Sequence, residues 1–233
     1  MSMRTATTIE ASSGPWRDTV DFAVEAEKLG LDVCWVAEAW GSDAVSALGF
    51  LAARTDRMLL GSGVLQVGTR SPVAVAQAAW TLADMSDGRF LLGLGASGPQ
   101  VMEGLHGVAF ARPLSRVRET VEIVRSALAG ERVSHSGRAY TIPLPGEARA
   151  MRLSTTPNPD IPLYLATMSP KMLESPGRSP TAGSAPASSP RAPRAPTSPT
   201  STPGTPRPAA PAPTSTSARA PRSVSPPTRT SSP

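Results

Sequence analysis

Short apolar runs alternate with longer amphipathic stretches along the first 174 residues. Thr5–Ile9 reads as a first strand. Pro15-Trp16-Arg17-Asp18 opens a helix that runs to Leu29, with Val20, Ala23, Val24 and Ala26 at helical spacing. Gly30 stands where a left-handed helix cap costs least. Val33–Ala37 is a short run of the kind buried on both faces of a parallel sheet. A helix is expected over Asp43–Arg54, a third strand over Met58–Leu65, and a third helix from Pro72, with Val75, Ala76 and Ala79 facing inward. Ser86-Asp87-Gly88-Arg89 is a tight turn before a fourth strand, Phe90–Gly95. Pro113 begins a fourth helix, closed near Gly130. A small hairpin is expected around Ser136-Gly137, a fifth strand over Ile161–Leu165, and a helix from Pro170.

Strand and helix in strict alternation, with nearly continuous apolar strands, specify a parallel α/β sheet. Such a sheet is either doubly wound or a barrel. Glu10-Ala11-Ser12-Ser13-Gly14 after the first strand is no dinucleotide fingerprint. That favours an incomplete (β/α)8 TIM barrel, with about five of its eight strands present.

The remaining residues are a different text. Residues 175–233 hold 16 Pro and seven Arg, with no acid and one aliphatic larger than Ala, Val224. They carry +7, and residues 1–174 carry −2. The basic pI therefore comes from the tail, and the body has no basic stripe for nucleic acid. This composition predicts a disordered Pro/Ser/Thr/Ala/Arg tail that buries too little apolar area to offset its ordering entropy. Ala192-Pro193-Arg194-Ala195-Pro196 offers one non-catalytic alternative, a Pro/Arg-rich interaction module. The abrupt change after Glu174 suggests a frameshift. With GC-rich third bases, and Ala182 written GCT, a one-base shift of Ser175–Gly183 reads Ala-Gly-Pro-Val-Ala-Asp-Gly-Trp, a sensible helix end and turn. One cysteine, Cys34, leaves no intramolecular disulfide. No run spans a bilayer and no leader opens the chain, so a cytoplasmic protein is expected.

Several motifs carry a resemblance. They are Trp35-Val36-Ala37-Glu38-Ala39-Trp40, Gly61-Ser62-Gly63-Val64-Leu65-Gln66 and Thr69-Arg70-Ser71-Pro72. Further on come Asp84-Met85-Ser86-Asp87-Gly88-Arg89-Phe90, Leu92-Gly93-Leu94-Gly95-Ala96-Ser97-Gly98-Pro99 and Ile161-Pro162-Leu163-Tyr164-Leu165-Ala166. In this order and spacing they resemble the luciferase-like flavin/deazaflavin oxidoreductases, most closely the branch that uses coenzyme F420. The shifted reading of the tail is also similar to the segment that family members carry after this point. The resemblance implies a (β/α)8 barrel and a homodimer when the barrel is complete. It implies hydride transfer between F420 and a small organic substrate, with the truncated chain itself inactive. An FMN-dependent monooxygenase of the same fold is the alternative.

The resemblance also distributes roles. Glu38 follows the second strand, at the barrel end where active sites form. The family places an acid here near the cofactor ring, to relay or position a proton; its other reading is an exposed loop carboxylate. Where some F420 enzymes carry a neighbouring His, this chain has Ala39. Gly63-Val64 matches a non-proline cis peptide that backs the ring, and is otherwise an ordinary strand glycine. Gly93, Gly95, Ser97 and Gly98 are small residues that would let a flat ring approach, or else form a flexible turn. Thr167, Met168 and Ser169 precede the Pro170 helix, whose N-terminus suits the cofactor phosphate. Arg70 and Gln66 either face substrate or tie down their loop. Trp16, Trp40 and Trp80 are candidate pocket walls, with Trp16 and Trp80 better placed to pack helices. His106 and His135 show no metal-ligand spacing, and no metal is expected.

Overall fold

A computed structural model describes residues 4–10 and 14–166. Thr167, Met168 and Ser169, the expected Pro170 helix and the tail lie outside the described residues. Strands β1 (Ala6–Ile9), β2 (Val33–Val36), β3 (Leu59–Ser62), β4 (Leu65–Gln66), β5 (Phe90–Gly95) and β8 (Leu163–Ala166) form one parallel sheet. The order runs β1-β2-β3-β5, with β8 on the far side of β5 and β4 continuing β3 along β5. The architecture is an incomplete parallel α/β barrel with about five core strands. A two-residue hairpin pair, β6 (His135–Ser136) and β7 (Thr141–Ile142), stands apart.

Helices α1 (Trp16–Lys28), α2 (Ala44–Ala52), α3 (Pro72–Met85) and α4 (Pro113–Leu128) connect the strands. Local signals start α2 and α3. The Asp43 carboxylate accepts the Ser46 N–H at 2.7 Å, and Ser71 Oγ accepts the Ala74 N–H at 3.2 Å ahead of Pro72. Gly30, at φ +103°, ends α1 in a conformation that a side chain resists. Leu48, Leu51, Leu60, Leu65, Leu92 and Leu94 are fully buried between sheet and helices. Each such side chain is worth about 1.5–3 kcal/mol of burial.

The third strand is not continuous as the apolar run suggested. It breaks at the cis Gly63–Val64 peptide and resumes at Leu65. The β5 glycines also have another reason than an approaching ring. A Cβ on Gly95 would meet Val64 Cγ2 at 2.7 Å, and one on Gly93 would strike the Ser62 carbonyl oxygen. Their space is taken by the broken strand beside them. Likewise Gly61 makes room for the Trp35 ring, which stands edge-on to Tyr164 at 5.6 Å. Pairing register puts Thr8, Trp35, Gly61 and Leu91 level across four strands, with the Trp35 ring lying against Gly61.

Three charged side chains fasten the connections. Glu27 on α1 accepts the N–H groups of Asp56, Arg57 and Met58. Arg89 donates to the carbonyls of Ala52, Thr55 and Met58 and to Thr55 Oγ1. Glu119, 1% exposed, accepts the N–H groups of Arg138, Ala139 and Tyr140, holding the hairpin on α4. Trp16 and Trp80 pack against the core as expected, and Trp80 Nε1 donates to the Thr156 carbonyl at 2.8 Å.

Candidate active site

Glu38, Gln66 and Ser97 all stand at or just past the C-terminal ends of parallel strands, β2, β4 and β5. The chain leaves β2 through Glu38 and turns into α2 at Asp43. It leaves β4 through Thr69 and Arg70 and turns into α3 at Ser71. Between these loops lies a cavity of about 360 Å³, lined by Glu38, Trp40, Asp43, Thr69, Arg70 and His106 among others. A second hollow, about 420 Å³, opens between β1 and α1 at Ile9, Asp18 and Phe22, away from these residues.

Glu38 is not an exposed loop carboxylate; its side chain is 10% exposed. One oxygen accepts from Arg70 Nη1 at 2.6 Å and the other from the Ala44 N–H at 3.3 Å. Arg70 Nη2 donates to Asp43 in turn. A single guanidinium thus bridges two carboxylates, the planar fork geometry that Arg supplies and Lys does not. Burial works against the Arg70 charge, but Glu38 and Asp43 outweigh it and raise its pKa. Burial also pushes Asp43 upward; its bonds to Ser46 and the Arg70 charge win, and its pKa falls below the usual carboxylate range. Both Glu38 oxygens are acceptors in fixed bonds. That suits a positioning carboxylate better than a proton donor.

Gln66 and Arg70 resolve as loop ties. Gln66 is 1% exposed and donates to the carbonyls of Glu38 and Ala39, at 3.2 and 2.6 Å. Its own Oε1 is buried without a partner among the described residues. The expected site residues do not all converge. Gly63 and Val64 lie at the strand break, and Ser97 and Gly98 lie half-buried after β5; none of the four lines the cavity. Ser97 adopts φ +61°, an uncommon left-handed conformation for a residue with a side chain. Trp40, expected as a wall, does line the cavity and is 78% exposed.

Sequence reasoning missed three contributors to the cavity, Asp43, Leu105 and His106. Asp43 reads as the start of a helix and nothing more until Arg70 reaches it. Leu105 and His106 are delivered by a six-residue π-helical turn, Gln100–Leu105, closed by the His106 N–H on the Val101 carbonyl. Such turns have no apolar period to betray them, though they recur at functional sites. Burial pushes the Cys34 thiol up to about 12, so it behaves as a small hydrophobe. Among the described residues, no three His, Cys, Asp or Glu side chains converge as a metal site. None of the described helices is long and apolar enough to cross a membrane.

The luciferase-like monooxygenase family model matches residues 1–179. The chain belongs to that family. A Mycobacterium tuberculosis protein named as a putative coenzyme F420-dependent oxidoreductase is 43% identical over 164 residues, covering 67% of this chain and 47% of the relative. The 5,10-methylenetetrahydromethanopterin reductase of Methanolobus tindarius is 32% identical over 180 residues, covering 77% and 53%. Among solved structures, an F420-dependent secondary alcohol dehydrogenase in complex with an F420–acetone adduct superposes with a TM-score of 0.65. At 22% identity, covering 74% of this chain and 54% of that one, it supports the fold alone. The chain spans about half the length of the curated relatives it matches.

Proposed function

We propose that this chain carries the N-terminal half of an F420-dependent oxidoreductase site, one that transfers hydride to or from a small organic substrate. The observation that carries the reading is the place of the Glu38 cavity, at the C-terminal ends of β2 and β4 where barrels of this kind do chemistry. The F420-dependent relatives support the choice of cofactor over FMN.

Bound F420 would supply a two-electron hydride carrier; the protein's contribution is orientation and exclusion of water. The residues present fit a flat ring with polar edges. Gln66 Oε1 is a buried acceptor without a protein partner among the described residues, the complement of a ring N–H. The space beside Gly98 is open, and a Cβ there would meet nothing within 4 Å. Gly63 and Val64 would back the ring from the strand break, and Ser97 would offer its hydroxyl to the ring or its side chain. Glu38 would fix the β2 loop against Arg70, and so set the wall that a substrate meets. Thr167, Met168 and Ser169 remain the proposed phosphate loop. With half of its relatives' length, the polypeptide is expected to bind cofactor weakly and turn over nothing.

The test is titration of the purified chain with F420 and with FMN, followed by cofactor absorbance and calorimetry. Saturable F420 binding, tighter than FMN and weakened by Ser97→Val and Gly98→Val, supports the reading. Tighter FMN binding, or F420 binding indifferent to both substitutions, overturns it.

A further inference from the structure

We propose that the Glu38 cavity admits uncharged, hydroxyl- or carbonyl-bearing organic molecules and rejects phosphorylated ones. The inference takes the cavity as the substrate pocket of the function proposed above, and adds the substrate class.

Two features of the cavity would ordinarily hold a phosphate. One is Arg70, the only Lys or Arg among the lining residues. The other is the N-terminus of α2, whose free N–H groups point toward the β2 loop. Both are engaged by the protein's own carboxylates. Arg70 gives one terminal nitrogen to Glu38 and the other to Asp43. The α2 N-terminus gives the Ala44 N–H to Glu38 and the Ser46 N–H to Asp43. Two carboxylates against one guanidinium leave the fixed charges of the lining net negative. A phosphate dianion would meet that wall with the Arg70 charge and the Ala44 and Ser46 N–H groups already paired to carboxylates.

The rest of the lining suits a neutral guest. Trp40 and Leu105 present apolar surface, 78% and 58% exposed. Thr69 Oγ1 donates to the Gln66 carbonyl and can still accept. His106 lines the same cavity, and its side chain makes no hydrogen bond or ion pair among the described residues. An alcohol or ketone can exchange hydrogen bonds with such groups and lay its carbon skeleton on the indole.

The experiment uses the full chain without cofactor, so its failure is distinct from a failure of F420 binding. Trp40 emission is isolated as the difference between the wild-type chain and Trp40→Phe. Cyclohexanol and cyclohexyl phosphate are the probes. The alcohol is expected to shift Trp40 emission saturably, and the ester to bind at least about tenfold more weakly at low salt. Raising salt from about 20 mM to about 500 mM should narrow that gap, because screening removes the repulsion. The double variant E38Q/D43N frees Arg70 and the α2 N-terminus, and should bring the ester level with the alcohol or past it. Equal or tighter binding of the ester by the wild-type chain overturns the proposal. So does a Trp40 signal that neither probe moves, or a gap that salt leaves unchanged. If the double variant fails to fold, the wild-type preference and its salt dependence decide the matter alone.

Discussion

At the scale of single residues, the site depends on one guanidinium. Arg70→Ala would leave Glu38 and Asp43 facing each other with their shared cation gone. Partial exposure of the Asp43 side chain, 43%, softens the penalty. A loss of about 2 kcal/mol is expected, read as a fall in the urea midpoint. Arg70→Lys keeps the charge but not the two-pronged fork, and should recover less than half of that loss. Ser97 offers a second test. Its φ of +61° costs a side-chain-bearing residue about 1–2 kcal/mol, so Ser97→Gly should hold or raise the melting temperature while Ser97→Val lowers it. Legibility at this scale was uneven. The place of Glu38 was visible because it closely follows an apolar run. Its partner was not, since Arg70 is 32 residues away and meets it only once β2 and β4 lie in one sheet. The β5 glycines were legible only in part for the same reason: a missing side chain shows that space is needed, and only the fold shows that Val64 stands beside Gly95.

At the scale of elements, the period of apolar positions and the Asp, Ser and Pro beside them marked the starts of the four described α-helices to within a residue, because each buries one face. The π-helical turn escaped, and the apolar run showed the third strand as unbroken although the resemblance marked the cis peptide at Gly63-Val64, since a strand break and an i→i+5 turn leave the apolar pattern unchanged. The hairpin β6–β7 was legible as a turn, but not its anchor. Glu119 reads as one more charge on an amphipathic helix, yet it is buried and accepts three consecutive N–H groups, with His135 Nε2 at 3.3 Å. Burial pushes its pKa up, but the three backbone bonds and His135 together outweigh burial, so the net shift is downward. Glu27 shows the same balance, burial against the N–H groups of Met58, Arg57 and Asp56, with the same downward result. A carboxylate whose pKa is lower folded than unfolded stabilises fully above its unfolded value, about 4.3. That stabilisation is lost as pH falls through the folded value. Stability should therefore be flat from neutrality to about pH 5 and fall below about pH 4. Glu119→Gln should cost about 2 kcal/mol at pH 7 and flatten part of the acid decline, measured by urea unfolding across pH. An acid limb of equal steepness in wild type and variant would show that Glu119 is not its source.

At the scale of the whole molecule, the sheet has two sides that the described residues leave unpaired, β1 and β8. A parallel strand with a bare edge templates association with other chains. The remedy in a barrel is closure, and the chain spans about half the length of the relatives it matches. Residues 175–233 are a poor source of further strands, with 16 Pro and almost no aliphatic side chains larger than Ala. The shifted reading Ala-Gly-Pro-Val-Ala-Asp-Gly-Trp is a better one, since it resumes apolar positions and a turn where the Pro170 helix would need them. Resequencing the coding DNA across codons 165–190 should reveal one base gained or lost. The chain translated from the corrected frame should be soluble and melt cooperatively, while the chain with the Pro-rich segment should self-associate more readily through its open edges as its concentration rises. An unaltered frame, together with a soluble and cooperative product, would instead mean that the Pro-rich segment is native and that five strands suffice. The Glu38 cavity would then be a binding site in its own right, because every residue that closes its charge network lies within the first 70 positions.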